Sequence, residues 1–287
     1  MMIKSLGYTI LTTTLAAALS FSAFAKDSVV TTEDYRARLP EKIKDKIVDH
    51  RPAEDAFATG SYSWYCKHLK NGEIPPCPSE MSFISEYNGV YLGNTEEKVI
   101  YLTFDAGYEN GNVKRILDIM KEKEVTGAFF VLENLVKQNP DLVMQMSNNG
   151  HLICNHTAKH RDMSAVTCES AFKAELDAMN EICRNAGVEC APFYRPPEGR
   201  FTRANMEWAE KYGYTTVFWS FAYADWDNGA QPQPKKAMQK ILDGTHNGMI
   251  LLLHPTSSTN AEILDDLIDT WKEQGYRFGS LTELVQK

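Results

Sequence analysis

Two histidines four residues apart, His156 and His160, can grip a single metal ion if the chain between them forms a helical turn, because positions i and i+4 then share a face. Four more polar clusters stand at or just beyond apolar runs. Asp105 closes Val99-Ile100-Tyr101-Leu102-Thr103-Phe104. Arg195 opens Arg195-Pro196-Pro197-Glu198-Gly199, whose paired prolines stiffen the turn and remove two backbone donors. Asp225-Trp226 sets an acid beside an aromatic floor, and His254 ends Leu251-Leu252-Leu253 where an imidazole can act as acid or base. Each has an ordinary reading on its own: a turn Asp, a surface histidine pair, a Pro-Gly loop, a buried tryptophan, a hydrogen-bonded core histidine. Taken together, two histidines, a carboxylate, an arginine and an Asp/His pair suit metal-assisted hydrolysis of an amide or ester. Cys154, two residues before His156, reads as core before ligand.

Such groups converge only if one sheet presents them at one end. From Lys98 the chain alternates apolar strands with helical stretches. Strands are expected at Val99–Phe104, Gly127–Leu132, Leu152–Cys154, near Phe193-Tyr194, at Thr215–Ser220, Met249–Leu253 and Tyr276–Phe278. Helices are expected at about Gly111–Lys123, Pro140–Asn149, Glu169–Asn185, Thr202–Lys211, Lys235–Leu242 and Ala261–Lys272. A closing helix follows with Ser280 and Glu283 as its capping box. Near-continuous apolar strands imply a parallel sheet covered by helices, and this many β-α units suit an α/β fold of the distorted (β/α) barrel type. The alternative is an open doubly wound sheet, but Asp105-Ala106-Gly107-Tyr108-Glu109 is not the Gly-rich phosphate loop such a sheet carries. In a barrel, reactive groups gather where strands end.

With 43% hydrophobic and 24% charged residues the 287-residue chain reads as an ordinary globular protein, and its net charge of −8 argues against nucleic acid as a partner. Residues 1–25 look like a signal peptide: Lys4, an apolar run from about Tyr8 to Phe24, and Ala23-Phe24-Ala25 before a cut at Lys26. A retained anchor is the other reading, and both put the remainder outside the cytoplasm. No later segment is apolar enough to span a membrane. Residues 26–97 read as an N-terminal extension, and residues 98–287 as the catalytic domain. Export permits disulfides, and Cys66 with Cys77 across the Asn71-Gly72 and Pro75-Pro76 loop is one candidate. Cys168 and Cys183 are expected on one helix, too far apart to pair. Free thiols remain the alternative.

The order of these motifs resembles the polysaccharide deacetylases, carbohydrate esterase family four. Thr103–Gly107, His156–His160, Arg195–Gly199, Asp225-Trp226 and Leu253–Pro255 look like its five motifs. Tyr108-Glu109-Asn110-Gly111 and Ser63-Trp64-Tyr65 are most similar to the N-acetylmuramic acid deacetylases of the spore cortex, which prepare muramic δ-lactam. The resemblance implies a divalent metal on His156 and His160, zinc first, with cobalt, manganese or magnesium as alternatives. It makes Asp105 the general base with Arg195 as charge partner, and His254 the general acid tuned by Asp225. Glu198 would lend its backbone N–H to the oxyanion, and Tyr108, Trp226 and Arg200 would meet the substrate. Arg200, with Arg203 as fallback, is expected to receive the lactyl carboxylate of muramic acid. The sequence departs from the family at Ala106, where a second Asp usually serves as third metal ligand. The implied partner is a peptidoglycan strand, and the implied state an exported monomer at the wall or forespore cortex. Other N-acetylated glycans, and an inactive wall-binding relative, are the competing readings.

Overall fold

In the computed structural model, which describes residues 60–285, the architecture is organised around one strand. Val99–Ala106 (β3) is buried along its length except at Asp105. Parallel strands flank it on both sides: Ala128–Val131 (β4), with Thr103 opposite Ala128, and Met249–Leu253 (β9), with Ile100 opposite Met249. Beyond β4 come Leu152–Asn155 (β5), Ala191–Tyr194 (β6) and Thr215–Val217 (β8), all parallel. Past β8 the chain turns onto β9: Ser220 N–H donates to Ile250 at 3.0 Å and Leu252 N–H to Phe221 at 2.9 Å. That contact curls the sheet into the expected distorted (β/α) barrel.

The two-residue period of the strands separates two cores. Val99, Tyr101, Phe130, Cys154, Phe193, Val217 and Ile250 pack inside the curl. Leu102, Phe104 and Ala106 face outward onto helices. Asn112–Glu122 (α1) buries Val113, Ile116, Leu117 and Met120, an i, i+3, i+4, i+7 stripe. Ser258–Glu273 (α7) is capped by Ser257 and buries Leu264, Leu267, Ile268 and Trp271 on the same layer. Each such side chain contributes about 1.5–3 kcal/mol of transfer free energy. Cys154 is thus a core residue, and burial pushes its thiol pKa up.

Several expectations are corrected. Glu133–Gln138 (α2) is a helix the sequence reading passed over, just before Pro140–Asn148 (α3). The strand expected to run to Ser220 stops at Val217. Cys168 precedes Glu169–Asn185 (α4) as its N-cap rather than lying within it. The closing helix is a short 3-10 turn, Leu281–Leu284, with the expected capping box of Ser280 and Glu283. The described part of the N-terminal extension is woven into the barrel: Gly89–Val90 (β2) pairs with β8, and Tyr62–Ser63 (β1) pairs antiparallel with Arg200–Phe201 (β7). All six cysteines are free. Cys66 is half-buried beside the backbone of Ala222, whereas Cys77 packs into the cluster of Trp64, Phe83 and Phe218, so no Cys66–Cys77 bridge forms. Among the described residues no helix is long and apolar enough to cross a membrane. The expected signal peptide and residues 26–59 of the extension lie outside the described residues.

Candidate active site

Asp105, His156, His160, Arg195, Asp225 and His254 come together at the mouth formed by the C-terminal ends of these strands. Asp105 is the penultimate residue of β3, on the same face as Tyr101 and Thr103, so its side chain turns into the curl. Arg195, directly after β6, is wholly buried and threads the interior. Its Nη1 donates to Asp105 Oδ1 at 2.7 Å, its Nη2 to Thr103 Oγ1 at 2.8 Å, and its Nε to the Val217 carbonyl at 3.0 Å. The guanidinium lies 4.1 Å from the centroid of the Phe130 ring. Burial alone would raise the Asp105 pKa, but attraction from His156, Arg195 and His254 outweighs it and lowers the carboxyl below its ordinary value. His156 is itself held neutral by burial, pushed down to about 4, so at neutral pH the attraction is left to Arg195 and His254.

The same arginine fixes the metal-ligand candidate. His156 Nδ1 donates to the Arg195 carbonyl at 2.9 Å, which leaves Nε2 with a free lone pair, 3.4 Å from Asp105 Oδ2. The His160 ring stands edge-on to His156 with centroids 5.2 Å apart. The segment between them is a loop, not the expected helical turn. Asn155 Oδ1 accepts from Thr157 N–H at 2.9 Å and Thr157 Oγ1 from His160 N–H at 3.1 Å. Thr157 and His160 accordingly take left-handed φ values of 68° and 53°. Polysaccharide deacetylases generally use a divalent metal. The two imidazoles fit one side of such an ion, with Asp105 alongside. A third protein ligand is lacking: Ala106 is buried on the helix side, and the described residues hold no cluster of three His, Cys, Asp or Glu side chains suited to a metal.

Across the mouth, His254 follows β9. Its Nδ1 donates to Asp225 Oδ1 at 2.7 Å and its backbone N–H to Asp225 Oδ2 at 2.9 Å. Asp225 is buried and receives a third bond, from Asn260 Nδ2 at 2.6 Å. Burial would lower the His254 pKa, but the hydrogen bond and charge of Asp225, with the charge of Asp105, raise it above 6.5. With Nδ1 committed to Asp225, Nε2 is left for the substrate.

The turn Pro196-Pro197-Glu198-Gly199 shapes the third wall. Glu198 adopts φ 56°, ψ 12°, and Gly199 φ 65°. Gly199 is required there, since a Cβ would stand 2.9 Å from Trp219 and 3.0 Å from Trp64. Trp64 N–H donates to the Gly199 carbonyl at 2.8 Å, so the N-terminal extension braces this turn. Tyr108 and Trp226 remain exposed at 43% and 61%, a solvent-facing aromatic pair at the rim. The Tyr108 hydroxyl accepts from Asn228, and the Trp226 ring lies 6.1 Å from His254.

Arg200 lies on β7, with Nη1 on Asp162 Oδ2 at 2.8 Å and Nε 3.6 Å from Glu198 Oε2. Arg203 stacks on Phe83 at 3.8 Å. Asp162 takes one corner of the Arg200 fork, and the side chain remains 49% exposed. Arg200→Ala should cost less than about 1 kcal/mol in urea unfolding, as exposed pairs do.

Sequence reasoning missed Asn260, Tyr223, Gln231 and Thr103. Asn260 Oδ1 accepts from the Tyr223 hydroxyl, which orients the amide so that its NH₂ faces Asp225. Its one legible trace was an Asn in the first turn of a helix six residues after His254. Asn260→Leu removes one donor from a buried carboxylate and should destabilise the protein by about 1.5–3 kcal/mol in urea unfolding.

A polysaccharide deacetylase model matches residues 92–217. The Bacillus subtilis peptidoglycan-N-acetylmuramic acid deacetylase PdaA is 41% identical over 233 residues, 80% of this chain and 88% of the relative. This chain belongs to the polysaccharide deacetylase family. The solved structure of Bacillus subtilis PdaA, described as a family 4 carbohydrate esterase, superposes with a TM-score of 0.76 at 40% identity, covering 79% of this chain and 97% of that one. A Bacillus anthracis protein described as a family 4 pseudoenzyme superposes with a TM-score of 0.63 at 28% identity, covering 69% of this chain and 68% of that one.

Proposed function

We propose that this protein hydrolyses the N-acetyl amide of N-acetylmuramic acid residues in peptidoglycan, releasing acetate, and that it acts outside the cytoplasm on wall or spore-cortex glycan. The carrying observation is a mouth with two separately tuned groups: Asp105 held ionised by Arg195, and His254 held toward its protonated form by Asp225. A base and an acid facing one mouth are what amide hydrolysis needs. The 41% identity to the muramic acid deacetylase supports the choice of sugar.

Each step is then assigned to a residue. Tyr108 and Trp226 flank the entrance and offer their ring faces to the sugar. Asp105 takes the proton of the attacking water, its charge and direction set by the Arg195 fork. The Glu198 N–H, held by the rigid proline turn, donates to the developing oxyanion. His254 gives its proton to the departing amine, while Asp225 keeps the imidazole oriented. His156 and His160 would hold a divalent ion, zinc as the first choice, which would supply Lewis-acid polarisation of the acetyl carbonyl and acidify water at the site. With only two imidazoles as dedicated ligands, His160→Ala should weaken metal binding by at least about tenfold, the scale seen even for supporting residues of metal sites. Calorimetric titration with zinc checks this without recourse to activity.

The second reading, an inactive wall-binding protein, is favoured by Ala106 and by the similarity to a pseudoenzyme. Acetate release from purified peptidoglycan, compared between the native protein and Asp105→Asn, decides between them. Activity lost in the variant supports the enzyme; no acetate from either protein supports the binding role.

A further inference from the structure

Outside the catalytic mouth, residues 68–70 and the helix Pro234–Asp243 (α6) enclose an open cleft of about 590 Å³. Its floor is apolar. Phe221 and Leu69 line it, and His68 stacks on Phe221 with ring centroids 4.8 Å apart at 20°. Its rim is cationic, with Lys70, Lys235, Lys236 and Lys240. The one acid of the rim, Asp243, is already paired with Lys70 at 2.8 Å. Among the described residues, Lys235, Lys236 and Lys240 have no acidic partner.

Two of these lysines sit where a helix tolerates cations least. Lys235 and Lys236 occupy the first turn of α6, which contains no acid to offset the positive end of the helix dipole. The whole chain carries a net charge of −8, so a cleft that concentrates positive potential runs against the molecule's own field and selects for anions. The cleft also adjoins the catalytic loop. Gln231 Nε2 donates to the Asp225 carbonyl at 2.9 Å and Thr259 Oγ1 to the Pro232 carbonyl at 2.7 Å, so α6 leaves directly from the residues that hold the acid pair. Its 10 residues span about 15 Å, with Lys235 and Lys236 at the catalytic end and the Lys70–Asp243 pair at the far end.

We infer that this cleft docks a short acidic peptide and, resting on the peptidoglycan reading above, that the peptide is the stem of a muramic residue neighbouring the one being deacetylated. The apolar floor takes alanine methyl groups while the lysine rim takes the carboxylates. A phosphate polymer would satisfy the rim and leave the floor uncovered. The lysines belong to no catalytic step, so they act on which stretch of glycan is held and leave the chemistry alone.

The test uses the full chain in two arms. Calorimetry with a synthetic alanine- and γ-glutamate-containing stem peptide, at low and moderate salt, measures docking independently of activity. The wild type should bind, more weakly as salt rises, and the triple variant Lys235→Ala, Lys236→Ala, Lys240→Ala should bind at least tenfold more weakly. Charge reversal at two exposed positions, Lys236→Glu with Lys240→Glu, should give the same loss. In the second arm, kcat/KM is compared on glycan oligomers with and without a stem on the adjacent muramic residue. The wild type should favour the stem-bearing oligomer several-fold, and the triple variant should treat the two alike with its rate on the stem-free one unchanged. The proposal is overturned by any of three results: no wild-type binding of the peptide, equal binding by the variants, or preference for a polyglycerol phosphate over the peptide. Failure to deacetylate any glycan would count against the enzyme reading while leaving the first arm intact.

Discussion

His254→Ala should lower kcat by about two to four orders of magnitude, the range removed with a positioned general acid, while KM changes little. An amide nitrogen leaves only when protonated, and the imidazole is the one group at this mouth built to supply that proton. Its Nδ1 is spent on Asp225 at 2.7 Å, and its side chain is 25% exposed, so Nε2 is directed at substrate without being flooded. The pH dependence follows from the same contact. His254 must be protonated to act, and its pKa is raised, so the alkaline limb of the kcat profile should fall above 6.5. Asp225→Asn should move that limb downward, because the hydrogen bond and charge that raise the pKa would be gone. Stopped assays of acetate release across pH, on both variants and the native protein, read the rate and the limb together. A His254→Ala protein within threefold of native turnover would remove His254 from the mechanism.

Arg195→Lys should be the most damaging of the conservative substitutions to folding. The native side chain is 0% exposed and divides its donors among Asp105, Thr103, Val217 and Phe218. A single ammonium cannot reproduce that fork, and each buried partner left unsatisfied costs about 1–3 kcal/mol. Against a typical total stability of about 5–15 kcal/mol, that loss leaves a marginal protein. Activity should fall as well, because Asp105 would regain a higher pKa and lose its direction. Urea unfolding of the native and Arg195→Lys proteins measures the first effect. A change below about 1 kcal/mol would show that the guanidinium is dispensable to the fold.

The strands that carry the site were legible because parallel strands buried on both faces need unbroken apolar runs, and Val99–Phe104 and Met249–Leu253 are such runs. The polar residues that end those runs, Asp105 and His254, were legible for the same reason: the pattern breaks where the chain leaves the core. Arg195 stood out through the prolines that follow it. What failed depended on contacts distant in sequence or on backbone set by a side chain. The Asp162 partner of Arg200 could not be read from the sequence because it is 38 positions away. The His156–His160 spacing suggested a helical turn, yet Asn155 and Thr157 capture the backbone N–H groups that a helix would need. Gly89–Val90 is too short to show a period, and its place in the sheet rests on Gly89, where a Cβ would stand 2.7 Å from the Ile84 carbonyl. Asn260 hides among ordinary helix-start residues until Asp225 is placed beside it.

The central claim, removal of acetyl from muramic residues, is tested most directly by mass analysis of the sugars in purified peptidoglycan after incubation with the protein. The account predicts muramic residues lacking one acetyl group, acetate released in equal amount, and glucosamine residues left acetylated. Acetyl groups intact on every sugar, or lost from glucosamine alone, would contradict it.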